Sequence, residues 1–244
     1  MDGAVDALPR APLSRDRVLR AAVARADEAG LDALSMRKLA QELGVVPMAL
    51  YKHVANKEQL LDGMIDVVVA EIEDPAPGAG WKAAVRQRIL CARRVLLRHP
   101  WASQVIESRV SPTPATLRYL DSMIGTLRRG GFSVDLTHHA IHALGSRLWG
   151  FSQEVYNEPP GGEADPRTQA LMLGEMRAHY PHVTELAMAV SHDDASVVGP
   201  GCDDQFEFEF ALDILLDGLD RLRDLHGQPG GVFAERPTRP VPGT

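Results

Sequence analysis

The sequence predicts an all-α protein. Apolar residues recur at three- and four-residue spacings along nearly every segment, and serine, asparagine and glycine punctuate those segments where helices begin and end. No stretch alternates apolar and polar residues over a strand's length with turn residues to match. The pattern divides into an N-terminal helical domain over residues 10–74, a larger helical domain over 81–226, and flexible tails at 1–9 and 227–244.

Each element has a local cause. Ser14 offers its hydroxyl to the first turn of a helix over residues 15–29, with Val18, Ala21, Ala22 and Ala26 on one face and Gly30 at its end. Ser35 caps a second helix carrying Met36, Leu39, Ala40 and Leu43, which stops at Gly44. After Val45 a short third helix runs through Leu50 to His53. Asn56 caps a fourth, with Gln59 three residues on in the manner of a capping box, and Leu60, Leu61, Met64, Ile65 and Val68 as its apolar set to about Glu73. The proline- and glycine-rich residues 74–80 mark the domain boundary.

Beyond it, helices are expected over 81–99, 101–109, 114–129 and, from a Ser133 cap, 133–158. Weaker helical patterns cover 171–180 and 183–190, and a strong one covers 203–225. Residues 192–201 and the proline-rich end are not expected to fold.

At 244 residues, 45% hydrophobic and 24% charged, the chain has the composition of a globular protein with a sizeable core. No segment has the apolar length of a signal peptide or a membrane span, so a cytoplasmic protein without membrane contact is expected. Cys91 and Cys202 stand far apart and match no thiolate metal spacing, which predicts free thiols.

The net charge of -7 is unevenly spread. Residues 10–57 hold nine basic and five acidic side chains, +4, which leaves -11 for the remainder. A small basic footprint on an acidic body fits a nucleic-acid reader.

Residues 35–53 carry the chemistry. Two short helices joined at Gly44 form the unit that places its second helix in a major groove, with Leu39, Ala40, Leu43, Val45 and Leu50 as the apolar seam. The remaining surface is polar and basic: Arg37, Lys38, Tyr51, Lys52, His53 and Lys57. Hydroxyl, ammonium and helix N-terminal N–H groups suit phosphate oxygens. Val46, Pro47, Met48 and Ala49 stand where a reading helix meets base edges, suited to thymine methyls, and Arg37 is the best polar base contact. A helical hairpin used only for packing, with Tyr51 half-buried, is the alternative.

Residues 13–66 closely resemble the N-terminal domain of the tetracycline-repressor family. The resemblance rests on Gly30 and Leu34, Arg37-Lys38-Leu39-Ala40, Leu43-Gly44-Val45, Ala49-Leu50-Tyr51 with His53, Asn56-Lys57 and Leu60-Leu61. It implies a homodimeric regulator, usually a repressor, whose second domain binds a ligand and moves the two reading heads out of register. It also implies that Arg37, Tyr51, His53 and Lys57 touch DNA, and Lys52 is a mild variation at a position often aromatic or arginine.

The second domain resembles that of the tetracycline-responsive members more weakly, through Leu96-Leu97-Arg98-His99, Arg129-Gly130-Gly131-Phe132-Ser133 and the final helix. Glu154 matches the glutamate those members use around a magnesium chelate, but Ser146 replaces one histidine and none lies near Val105 and Ile106. No tetracycline response is expected, and no cofactor.

His138 and His142 share a helix face, yet two imidazoles without a third ligand are more often surface or pocket residues than a metal site. Trp101, Tyr119, Met123, Leu127, His142 and Trp149, with Arg94 or Glu154 as polar anchors, are the candidate pocket for a ring-containing, largely apolar effector. The bland reading of these aromatics is core packing. No nucleophile elbow or phosphate loop points to catalysis.

Three functions stand in order: a repressor released from operator DNA by a small molecule, an activator or ligand-independent repressor, and a helical enzyme or interaction module. The last would require Arg37, Tyr51 and Lys57 to be incidental. Homodimerisation is expected through two helices of each chain, the one over 133–158 and the final one, packed as a four-helix bundle. On the final helix Phe206, Phe210, Leu212, Leu216 and Leu219 are the interface candidates, beside an acidic row of Asp213, Asp217, Asp220 and Asp224.

Overall fold

The structure, a computed structural model, describes residues 12–150, 174–182, 184–185 and 204–226, with the backbone alone at 149, 150, 204 and 226. Its elements are α1 (Arg15–Ala29), α2 (Met36–Leu43), α3 (Pro47–Leu50), α4 (Lys57–Val69), α5 (Trp81–Arg98), α6 (Trp101–Ser108), α7 (Pro114–Arg129), α8 (Val134–Gly150) and α9 (Asp204–His226). Among the described residues there is no strand. A 3-10 turn at Leu31–Ala33, between α1 and α2, was not foreseen by periodicity. The expected helix beyond residue 150, the loop at 192–201, Glu154 and Cys202 lie outside the described residues.

The caps follow from side-chain chemistry. Ser14 accepts from the Arg17 N–H, Ser35 from Lys38, and Asn56 from Gln59 at 2.8 Å. Gln59 reaches back to the N–H of Ala55, one residue before the cap, which closes the start of α4. Thr113 caps α7 and Ser133 caps α8 in the same way.

Two compact units emerge, residues 1–137 and 138–244. Packing therefore does not divide the molecule at 74–80. One buried cluster runs from Val18, Leu39, Leu50 and Met64 to Val95, Trp101, Val105 and Ala115, so α5–α7 complete the core that α1–α4 begin. The linker itself is laid on α5. Glu73 N–H reaches the Cys91 sulfur, Ala76 N–H donates to Gln87 at 3.1 Å, and Asp74 pairs with the buried Arg88.

Two glycines mark close approaches. A Cβ at Gly63 would lie 2.6 Å from a Leu19 methyl, where α4 crosses α1. One at Gly130 would lie 2.6 Å from Trp81, whose ring also meets Phe132 edge-on at 4.6 Å.

In the second unit Ala140 and Leu144 of α8 are buried, as are Phe208, Leu212, Leu216 and Leu219 of α9. Arg147 lies over the Phe208 ring at 4.8 Å and donates to the Glu207 carbonyl at 2.6 Å. This divides the expected interface set. Leu212, Leu216 and Leu219 serve the protomer's own interior, whereas Phe206 and Phe210 remain exposed with Ile214.

Candidate nucleic-acid interface

The reading unit is built from α2, α3 and the start of α4. Gly44 takes a left-handed conformation (φ 69°), which lets the chain turn after α2. Its N–H donates to Gln41 and the Val45 N–H to Ala40 at 2.9 Å, a Schellman closure that satisfies the end of α2. Val46 is extended, as a residue before proline must be, and Pro47 opens α3 at the one position where its missing N–H is not needed.

α3 is shorter than expected. Regular helix ends at Leu50, and Tyr51–His53 form a turn in which the Leu50 carbonyl accepts from both His53 (2.8 Å) and Val54 (3.0 Å). Leu50 and Val54, both fully buried, pin this single turn to the core. What faces outward is thereby fixed: Val46 (68% exposed), Met48 (73%) and Tyr51 (46%), with Pro47 exposed and Ala49 partly so.

Arg37 and Lys38 on α2, Lys52 in the turn and Lys57 at the first residue of α4 are exposed as well, and His53 is half-buried. None of those four cations enters an ion pair among the described residues. By contrast Arg20 is tied to Asp16 at 2.9 Å and Arg25 to Glu42 at 3.5 Å. Arg37, Lys38, Lys52 and Lys57 are therefore open to an incoming anion.

Sequence reasoning missed the groups that hold this unit to the helices behind it. Asp27 at the end of α1 accepts from the Trp101 indole at 2.7 Å and faces His99 Nδ1 at 2.8 Å. Glu71 accepts from Arg98 at 2.7 Å and faces His99 Nε2 at 3.4 Å. Burial pushes the Glu71 carboxyl upward, but hydrogen bonds from Arg98 and His99 outweigh it and hold the group below its ordinary value. Along α4, Glu58 and Asp62 pair with Arg109, and Asp66 accepts the Ala115 N–H at 2.9 Å. The signal was present in the sequence: three carboxylates, Glu58, Asp62 and Asp66, spaced by four along one side of a helix.

The pocket candidates fall as follows. In the first unit Trp101, Met123 and Leu127 are buried, and Tyr119 is half-buried with the Arg88 guanidinium 5.0 Å from its ring centre. Burial pushes the Tyr119 hydroxyl up to about 12. Arg94 is exposed, and the buried cations of α5 are Arg88 and Arg93. In the second unit His142 is exposed, while the Trp149 side chain and Glu154 lie outside what is described.

Residues 18–64 match the model of bacterial regulatory proteins of the tetR family, and residues 74–223 match the tetracyclin repressor-like C-terminal domain. The chain belongs to the tetracycline-repressor family. It is accordingly a DNA-binding transcriptional regulator, in a family of regulators rather than enzymes.

The transcriptional repressor DrrR1 of Streptomyces coeruleorubidus is 33% identical over 224 residues, 88% of this chain and 80% of that protein. The class D tetracycline repressor of Escherichia coli is 33% identical over 138 residues, 53% of this chain and 63% of its own length. Among solved structures, the TetR family protein ActR of Streptomyces coelicolor, in complex with actinorhodin, is similar with a TM-score of 0.65 and 29% identity. That match covers 86% of this chain and 96% of ActR.

Proposed function

We propose that this regulator is a homodimeric repressor that grips operator DNA with two copies of the α2–α3 unit and leaves it on binding a small molecule. The observation that carries the reading is the segment α2–α3 with the start of α4, where exposed apolar Val46 and Met48 are accompanied by exposed Arg37, Lys38, Lys52 and Lys57, none of them in an ion pair among the described residues. Lys52, Lys57 and Tyr51 hold the phosphates, Met48 meets thymine methyls, and Arg37 reads a base edge.

The effector is a ring-containing, largely apolar molecule held by the second domain. The relative crystallised with actinorhodin supports a small-molecule effector, and the family resemblance supports the dimer. The protein acts in the cytoplasm, where its DNA is; no described helix is long and apolar enough to cross a membrane.

Mobility shifts on DNA flanking the gene test this. The folded dimer should retard a specific fragment well before random DNA, and no shift even at low salt would overturn DNA binding. Release requires that effector bind free and operator-bound protein unequally, since a ligand moves an equilibrium only through differential affinity. Equal affinities would rule out induction. Magnesium should not be required, because the imidazole ligands that would anchor a chelate are missing from Ser146 and from the Val105–Ile106 region.

A further inference from the structure

α8 carries Asp135, His138, His139 and His142, whose spacings of three, four and seven gather them on one face of a 3.6-residue helix. All four are exposed, so core packing does not account for them. The imidazoles meet edge-on: the His138 and His142 ring centres are 4.6 Å apart, and those of His138 and His139 are 5.4 Å apart. The surface around α3 makes no use of them. A neutral imidazole offers one ring-nitrogen lone pair to a metal ion.

We propose that His138 and His142 chelate one divalent transition ion on the outer face of α8. Imidazole is the donor of choice for Zn²⁺, Ni²⁺ and Cu²⁺ and a poor one for Mg²⁺ and Ca²⁺. Zinc–imidazole bonds of about 2.0–2.1 Å require two nitrogens about 3 Å apart, which rings in edge contact reach by turning about their side-chain bonds.

Among the described residues no group of three or more histidine, cysteine or acidic side chains is placed to hold a metal. The site is therefore a two-point chelate whose other positions are filled by water, and its affinity is moderate. A bound ion would link residues 138 and 142 and stiffen that turn of the helix.

The test is calorimetric titration of zinc chloride into untagged, chelator-stripped, full-length protein. One ion per chain is expected. Affinity should fall at least about tenfold in His142→Ala and likewise in His138→Ala, because each loses one of two protein ligands. A His179→Ala/His182→Ala double variant should bind as the parent does, and magnesium should give no heat. Circular dichroism checks that the variants are folded. No zinc binding up to roughly millimolar concentration, zinc affinity unchanged in His142→Ala, or loss of the site in the His179/His182 variant would each overturn the proposal.

Discussion

Arg37 and Lys57 both present exposed cations beside α3, yet they should behave differently when removed. Lys57 opens α4, where free helix N–H groups suit a phosphate, so Lys57→Ala should weaken binding to specific and random DNA alike and lower the salt dependence. Arg37→Ala should in addition relax sequence preference, by about 1–3 kcal/mol if its guanidinium holds a base edge in two places. Competition assays with single-base operator variants separate the two behaviours, and a Lys57→Ala protein with intact random-DNA binding would reverse the assignment.

Tyr119 gives a second prediction at this scale. Its folded pKa of about 12 exceeds the unfolded value near 10, so between those values the unfolded chain loses a proton that the folded one keeps. The tyrosine's contribution is present in full below pH 10 and is lost as pH rises toward 12. Alkaline melts of Tyr119→Phe should be flatter over that window.

Helix ends were legible in the sequence because a cap is local. Ser14, Ser35, Asn56 and the left-handed Gly44 act on residues three to five positions away. α3 was read too long because its end depends on Leu50 being drawn into the core, a fact of packing that periodicity does not encode. α9 is a related case. It carries two apolar stripes, and composition does not rank which one turns inward; the stripe Phe208, Leu212, Leu216, Leu219 does.

The crossing of α1 and α4 depends on an absence of side chain. Gly63→Ala would drive a methyl to 2.6 Å from Leu19, itself buried, and overpacking of this kind costs about 1–3 kcal/mol. Denaturant melts should show that loss, and an unchanged midpoint would mean that the Leu19 side chain turns aside at no cost.

Over the whole molecule, what the sequence hid were the ties between residues far apart in the chain. Asp27 and Trp101 are separated by 74 positions and meet at 2.7 Å, and neither is unusual by itself. The proposed association surface follows the same lesson. Phe206 and Phe210 stack outward at 6.2 Å with Ile214 one turn on, so charged substitutions there should yield folded monomers. Leu216→Arg, by contrast, should unfold the protomer by burying an unpaired charge. Sedimentation at micromolar concentration distinguishes these outcomes. A dimer that survives Phe206→Asp/Phe210→Asp would move the interface to another face.

The carboxylate row on α4 constrains how such regulators can recombine. The family's two sequence modules meet between residues 64 and 74, which invites a crossover there. Yet Glu58 and Asp62 hold Arg109, Asp66 holds the start of α7, and Asp27 holds Trp101, all across that junction. A reading head transplanted onto a foreign body would keep its operator but arrive with carboxylates facing whatever the new host offers. Viable hybrids should therefore be those in which an arginine at position 109 and an indole at 101 travel with the graft, so that the heritable unit of this regulator is larger than the segment that touches DNA.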